Sequence, residues 1–181
     1  AQYNNSVIRA PSVGRRRQNA GPMTYDSPEI TYLESIRDWM ATLTVWQTWT
    51  GLSGDALKAR VVWPLKAAAA LPVAVLSIGA STTKNLTGAA GGANFQPDGV
   101  FKMWVYAEDT NADPQISYSD FADKLFQLKA EMADKAHEAP VLFNEFSISD
   151  EAILHSSDVL DETVTDAYWF GLIMIRWGVE A

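Results

Sequence analysis

The run DAYWFGLIMIRWGVE at residues 166–180 constrains this chain more than any other stretch. From Tyr168 to Ile175 no residue is charged, and both alternating faces are bulky. Successive side chains of a strand point to opposite sides. Tyr168, Phe170, Leu172 and Met174 therefore share one face, and Trp169, Ile173, Ile175 and Trp177 the other. A segment apolar front and back needs cover on both sides. Helices supply it on one side, and helices or a partner subunit supply it on the other. A central strand in a monomer core and a subunit contact both meet that demand. Neither makes the run a catalytic site.

The rest of the chain narrows the chemistry by what it lacks. Its 181 residues are enough for one domain with a real core. There is no cysteine, which removes disulfides, thiolate metal sites and Cys nucleophiles. His137 and His155 are the only histidines, leaving little for imidazole-based metal or acid–base work. Charge is unevenly placed. Arg9, Arg15, Arg16 and Arg17 give residues 1–22 a charge of +4 with no acid, while the remainder sets 10 Lys and Arg against 22 Asp and Glu, a net of −12. An acidic body repels duplex nucleic acid, whereas a basic segment suits an acidic neighbour, phosphate or RNA. The apolar run at 67–80 is too short for a membrane span and contains Pro72. No apolar h-region follows the first arginines, so no secretory signal is expected, and the Asn85-Leu86-Thr87 sequon is read as chance.

Residues 1–26 have no hydrophobic period and include Pro11, Gly14, Gly21 and Pro22, the pattern of an extended basic arm. Tyr3, Val7, Ile8 and Val13 are its apolar anchors for a neighbouring subunit, and Arg15, Arg16 and Arg17 its charged ones. Residues 27–181 are expected to be a single α+β domain. Ser27-Pro28-Glu29 opens a first helix, and Ile30, Leu33, Ile36, Met40, Leu43 and Trp46 carry its apolar face to about Thr48. Trp39 and Trp49 fall off that stripe and are expected to meet another element. Strands are expected at 59–66 and 71–79, with Pro64 and Pro72 at edge or strand-start positions. Residues 81–99 read as a long Gly-rich loop, a hairpin tip or partner-facing segment. Lys84 and its Ser/Thr neighbours lack the spacing of a phosphate loop.

Residues 99–108 alternate. Phe101, Met103 and Val105 oppose Lys102, Trp104 and Tyr106, so one face is apolar and the other aromatic but wet at one end. A second helix is expected from about Tyr118, capped by Ser119, to His137, with Phe121, Leu125, Leu128 and Met132 as its seam. His137 suits the negative end of that helix. A strand follows at 141–148, and residues 150–165 are acidic and ambiguous. His155, Ser156, Ser157 and Asp158 hold the residue types of a hydrolase triad, but side chains so close in sequence do not normally face one another, and no nucleophile elbow is present. They read as a solvated turn. Glu145, Asp150 and Glu151 read as chance neighbours among many acids. No catalytic, cofactor or metal residues are expected.

The fold expected is α/β in the α+β sense: a mixed, mostly antiparallel sheet against two main helices, with an extended N-terminal arm. LPVAVLSIG, DGVFKMWVYAED, SDFADKLFQLKAEMADKA and DAYWFGLIMIRWGVE, taken in that order, resemble the tail terminator (tail completion) family of tailed-bacteriophage neck proteins. The resemblance covers about residues 27–181 and lies in element order, size and character. It implies a homohexameric ring that caps the finished tail tube and docks it to the head-side connector. DNA would pass without specific binding, and no membrane, cofactor or active site is implied. The arm departs from the family pattern, so a head–tail adaptor or tail tube subunit is also compatible. A small-molecule or peptide-binding domain using Trp104 and Tyr106 is the alternative of another class. Trp104, Tyr106, Trp169 and Trp177 join Tyr3, Val7, Ile8 and Arg15–17 as interface candidates.

Overall fold

The computed structural model describes residues 28–63, 70–87, 93–139, 143–159 and 167–178. In chain order these form α1 (Pro28–Met40), α2 (Thr44–Thr50), α3 (Gly54–Lys58), β1 (Val61–Val62), β2 (Val73–Thr87), β3 (Ala93–Glu108), α4 (Pro114–Asp134), a 3-10 turn (Ala136–Glu138), β4 (Phe143–His155), α5 (Ser156–Val159) and β5 (Tyr168–Gly178). The strands make one sheet in the order β1-β2-β3-β5-β4, parallel only between β1 and β2. The mixed, mostly antiparallel sheet and its helices are the α+β architecture expected. The strand last in sequence is inserted between β3 and β4 instead of lying at an edge.

Alternation decides which side of each strand meets the helices. Phe101, Met103, Val105 and Ala107 of β3 and Trp169, Ile173, Ile175 and Trp177 of β5 are buried on one face. Leu33, Ile36, Trp39 and Met40 of α1, Trp46 of α2 and Phe121, Leu125, Leu128 and Met132 of α4 complete that core. Rings tie the layers together. Tyr32 stands edge-on to Trp177 at 5.0 Å, and Trp39 lies 5.4 Å from Phe143 of β4. Trp49 meets Phe121 at 5.7 Å, so both off-stripe tryptophans contact other elements as expected. At Gly171 the α4 helix comes directly onto β5: a Cβ there would run into the Leu125 Cδ2 methyl and lie 3.3 Å from Phe121 Cε1.

Several boundaries differ from the sequence expectation. The first helix breaks after Met40, where Thr42 turns its hydroxyl back onto the Trp39 carbonyl at 2.7 Å, a local bond that competes with helix continuation. The second segment, α2, has Leu43 at its N-cap with no side-chain cap of its own. The cap comes from α4 instead. Glu131 Oε1 accepts from the Thr44 amide at 2.8 Å and Oε2 from the Val45 amide at 2.7 Å. The second main helix begins at Pro114, not Tyr118. Asp113 accepts from the Gln115 and Ile116 amides with Pro114 in the first turn, and Ser119 bonds back to the Gln115 carbonyl instead of capping. Within residues 81–99, expected as a loop, the described parts 81–87 and 93–99 continue the strands. β2 and β3 pair from Val73↔Tyr106 to Thr87↔Ala93, with a bulge between Ile78 and Ala80. β5 ends opposite Asp98, so among the described residues the far part of these two strands pairs only with itself. The strand expected at 59–66 is only Val61–Val62 in the described residues. The ambiguous segment after 150 extends β4 to His155, across an irregularity between Ile148 and Ile153.

Candidate functional site

The opposite face of the sheet lies away from the core that α1, α2 and α4 cover. Register puts Val75 beside Trp104, Trp104 beside Leu172, Tyr106 beside Phe170, and Phe170 beside Leu154. Lys102 lies beside Met174, and Glu108 beside Tyr168. Val75, Trp104, Tyr106, Leu154, Tyr168, Phe170, Leu172 and Met174 are all half-buried, and none belongs to the core cluster that α1, α2 and α4 form with the other face. Their rings pack against one another within the sheet: Trp104 lies 5.9 Å from Phe170, Tyr106 is stacked on Phe170 at 5.7 Å, and Tyr168 lies 6.0 Å from Tyr106. Burial, with Tyr168 adding, pushes the Tyr106 phenol above its ordinary value. The patch is polar only at its ends. Lys102 and Arg176 are exposed at one end, with Arg176 Nε 3.7 Å from Glu145 Oε2, and Glu108 is exposed at the other. Cross-strand aromatic pairs stabilise the sheet, but a contiguous apolar patch rimmed by charge also marks a contact surface.

Trp104 and Tyr106 therefore stand on the open face. Trp169 and Trp177 do not. They are 9% and 2% exposed on the helix side, so the structure corrects their assignment to an interface; alternation sends them to the core. Tyr3, Val7, Ile8, Arg15, Arg16 and Arg17 lie outside the described residues.

The His155 cluster also departs from the expected solvated turn. Ser156 is buried and accepts from the Tyr168 amide at 3.1 Å. The His155 ring lies 4.6 Å from Trp169, its Nε2 is 3.4 Å from Asp109 Oδ2, and its Nδ1 is 2.6 Å from Ser157 Oγ. Asp109 in turn accepts from the Ser117 hydroxyl, and Ser117 Oγ accepts from Trp169 Nε1 at 2.8 Å. The Ser117 hydroxyl above all holds the Asp109 carboxyl below its usual range; burial opposes this, and the Asn111 amide and His155 add to it. Carboxylate, imidazole and hydroxyl thus stand in relay order. The Ser157 amide also donates to His155 Nδ1, at 3.3 Å, so the lone pair that would take a hydroxyl proton also caps the first turn of α5. The cluster ties the ends of β3 and β4 to α4 and β5. His137 sits where expected, its Nδ1 3.1 Å from the Asp134 carbonyl at the end of α4.

A cavity of about 190 Å³ opens between Trp49, Leu71, Pro72, Ser117, Phe121 and Lys124, and a shallower one of about 430 Å³ lies beside Ser35, Asp38, Trp39, Thr42 and Glu138. Among the described residues no group of three His, Asp or Glu side chains is placed to hold a metal, and no helix is long and apolar enough to cross a membrane. The chain matches no protein-family model, and comparison with characterised proteins finds no match.

Proposed function

We propose that this chain is a structural subunit of a bacteriophage neck that joins copies of itself into a ring, terminating the tail tube and linking it to the head-side connector. The observation that carries this reading is the open sheet face: a central strand with bulky side chains on both sides, the main helices α1, α2 and α4 packed on one of them, and an aromatic patch on the other. The family resemblance supplies the virion setting and the expected hexamer. The net charge of −12 over residues 23–181 fits a conduit wall that DNA slides past without adhering. A head–tail adaptor or tail tube subunit would present the same kind of face. Mass measurement and negative-stain imaging of the full chain test the reading, with closed rings as the expected result. A sample that stays monomeric at high concentration and shows no rings overturns it.

A second reading has one observation in its favour. The cavity beside Trp49, Phe121 and Lys124 has the mixed lining of a small-ligand site. A metabolite panel in a thermal-shift assay tests it, and a flat response across the panel removes it.

A further inference from the structure

The open sheet face has a counterpart on the helix layer of the same chain. α4 buries one stripe, Phe121, Leu125, Leu128 and Met132, in the core. A second stripe at i, i+4, i+8 and i+12 runs through Tyr118, Ala122, Phe126 and Ala130. By helix geometry it lies about a third of a turn from the first. Tyr118 is 44% exposed and Phe126 48%, Ala130 is exposed and Ala122 half-buried. Two large rings on the solvent side of a surface helix depart from its usual polar composition. Lys129 rides over the Phe126 ring at 5.3 Å, and Asp123 borders the stripe nearer the N-terminus. The contacts of α4 with α2, through Glu131 and through Phe121–Trp49, lie on its other flank.

We propose that the α4 stripe of one copy packs onto the open sheet face of the next, head to tail. Depending on the ring-subunit reading, this contact names the partner surface within the ring. Sheet faces are covered by helices throughout layered folds, and here the covering helix is a neighbour's. The dimensions agree: Tyr118 to Ala130 spans about 18 Å of helix, and Lys102 to Glu108 about 20 Å of strand. The charges agree in order. Asp123 borders the stripe in its N-terminal half and Lys129 lies in its C-terminal half, while the face has Lys102 at one end, beyond which Arg176 pairs with Glu145, and Glu108 at the other. A helix laid along the strands with Asp123 toward Lys102 sets Lys129 on the Glu108 side of it, about 9 Å further along the axis. The two surfaces lie on opposite layers of one chain, so neither can satisfy the other within a copy. Such a contact propagates, and it closes into a ring when the rotation per step allows.

The test uses the full chain with Phe126→Glu and Leu172→Glu, one on each surface, measured by light scattering after far-UV circular dichroism confirms folding. Each variant alone is expected to be monomeric, with association weakened by about 100-fold or more, the scale of an aromatic anchor lost from an interface. Mixed in equal amounts they are expected to form a 1:1 dimer and go no further, because one intact stripe and one intact face remain. The chain has no cysteine, so a Phe126→Cys, Leu172→Cys double variant offers a clean second readout: oxidation should give a covalent ladder that neither single variant gives. The contact is overturned if Phe126→Glu keeps the wild-type mass, or if the mixture stays monomeric and the cysteine pair does not cross-link. Rings that survive Phe126→Glu overturn the contact and keep the ring reading. Open filaments from the wild type, with the variants behaving as stated, overturn the ring reading and keep the contact. A monomeric wild type overturns both.

Discussion

Glu131 offers the sharpest test of how the helix layer is held. Its two carboxylate oxygens cap the first amides of α2, and Lys135 Nζ lies 2.8 Å from Oε1. The side chain is 12% exposed, so water replaces it poorly. Truncation in Glu131→Ala removes two charge-assisted hydrogen bonds. Bonds to a charged group contribute about 1.5–3 kcal/mol each. The Thr44 amide is exposed and can turn to water, whereas the Val45 amide is half-buried. One full bond plus part of a second gives an expected loss of about 2–4 kcal/mol. For a chain of this length that lowers the melting temperature by about 4–16 °C. Glu131→Gln keeps one acceptor and should lose less. The pH dependence separates this account from simple loss of packing. Burial pushes the Glu131 carboxyl up, but Lys135 and the Val45 and Thr44 amides outweigh it and hold it below the ordinary glutamate value of 4.5. A carboxyl with a depressed folded-state pKa contributes stability that is present above its unfolded value and lost as pH falls through the folded one. Chemical denaturation of wild type and Glu131→Gln should therefore show a gap that is full at pH 7 and shrinks below about pH 4. A gap of the same size at pH 7 and pH 3, or a Glu131→Ala loss below about 0.5 kcal/mol, would refute the capping account.

Three further outcomes can be checked by thermal or denaturant unfolding. Gly171→Val drives a branched side chain into Leu125 and Phe121 and is expected to cost about 1–3 kcal/mol, because α4 must lift from β5. Ser117→Ala leaves Trp169 Nε1 and Asp109 each short of a partner; a loss of about 1–3 kcal/mol is expected, with a shift in tryptophan fluorescence. Asp113→Ala should cost about 1 kcal/mol by uncapping α4, whereas Ser119→Ala should be nearly neutral, and equal effects would contradict the assigned helix start.

What could be read in advance was what local period encodes. The two faces of β5 and the core stripe of α4 follow directly from spacings of two and of three to four. The destinations of Trp39 and Trp49 followed because an aromatic off the main stripe still needs a neighbour. Tertiary features stayed hidden for physical reasons. Nothing near Thr44 signals a helix start, since its cap is Glu131, 87 residues away. Residues 81–87 are polar and look like loop, yet each finds backbone partners on β3, and that pairing is absent from either segment alone. The link between Asp109 and His155 likewise joins ends of strands distant in sequence. The start of α4 was different: Asp113-Pro114 is a recognisable opening, and Ser119 was the weaker choice. Of the candidate site, alternation alone placed Trp104 and Tyr106 on the open face, while the same alternation should have withdrawn Trp169 and Trp177.

The position of β5 has a consequence for how the chain acquires its shape. β2 and β3 can zip locally as a hairpin, but β4 emerges with no ladder to join, because among the described residues its one neighbour in the sheet is made later. Folding must wait for the last strand to thread between two earlier ones, a long-range step that is intrinsically slow. Until then β4 and the inner side of β3 are unpaired edges, and a nascent chain stalled before Tyr168 would be a substrate for chaperones and a seed for aggregation.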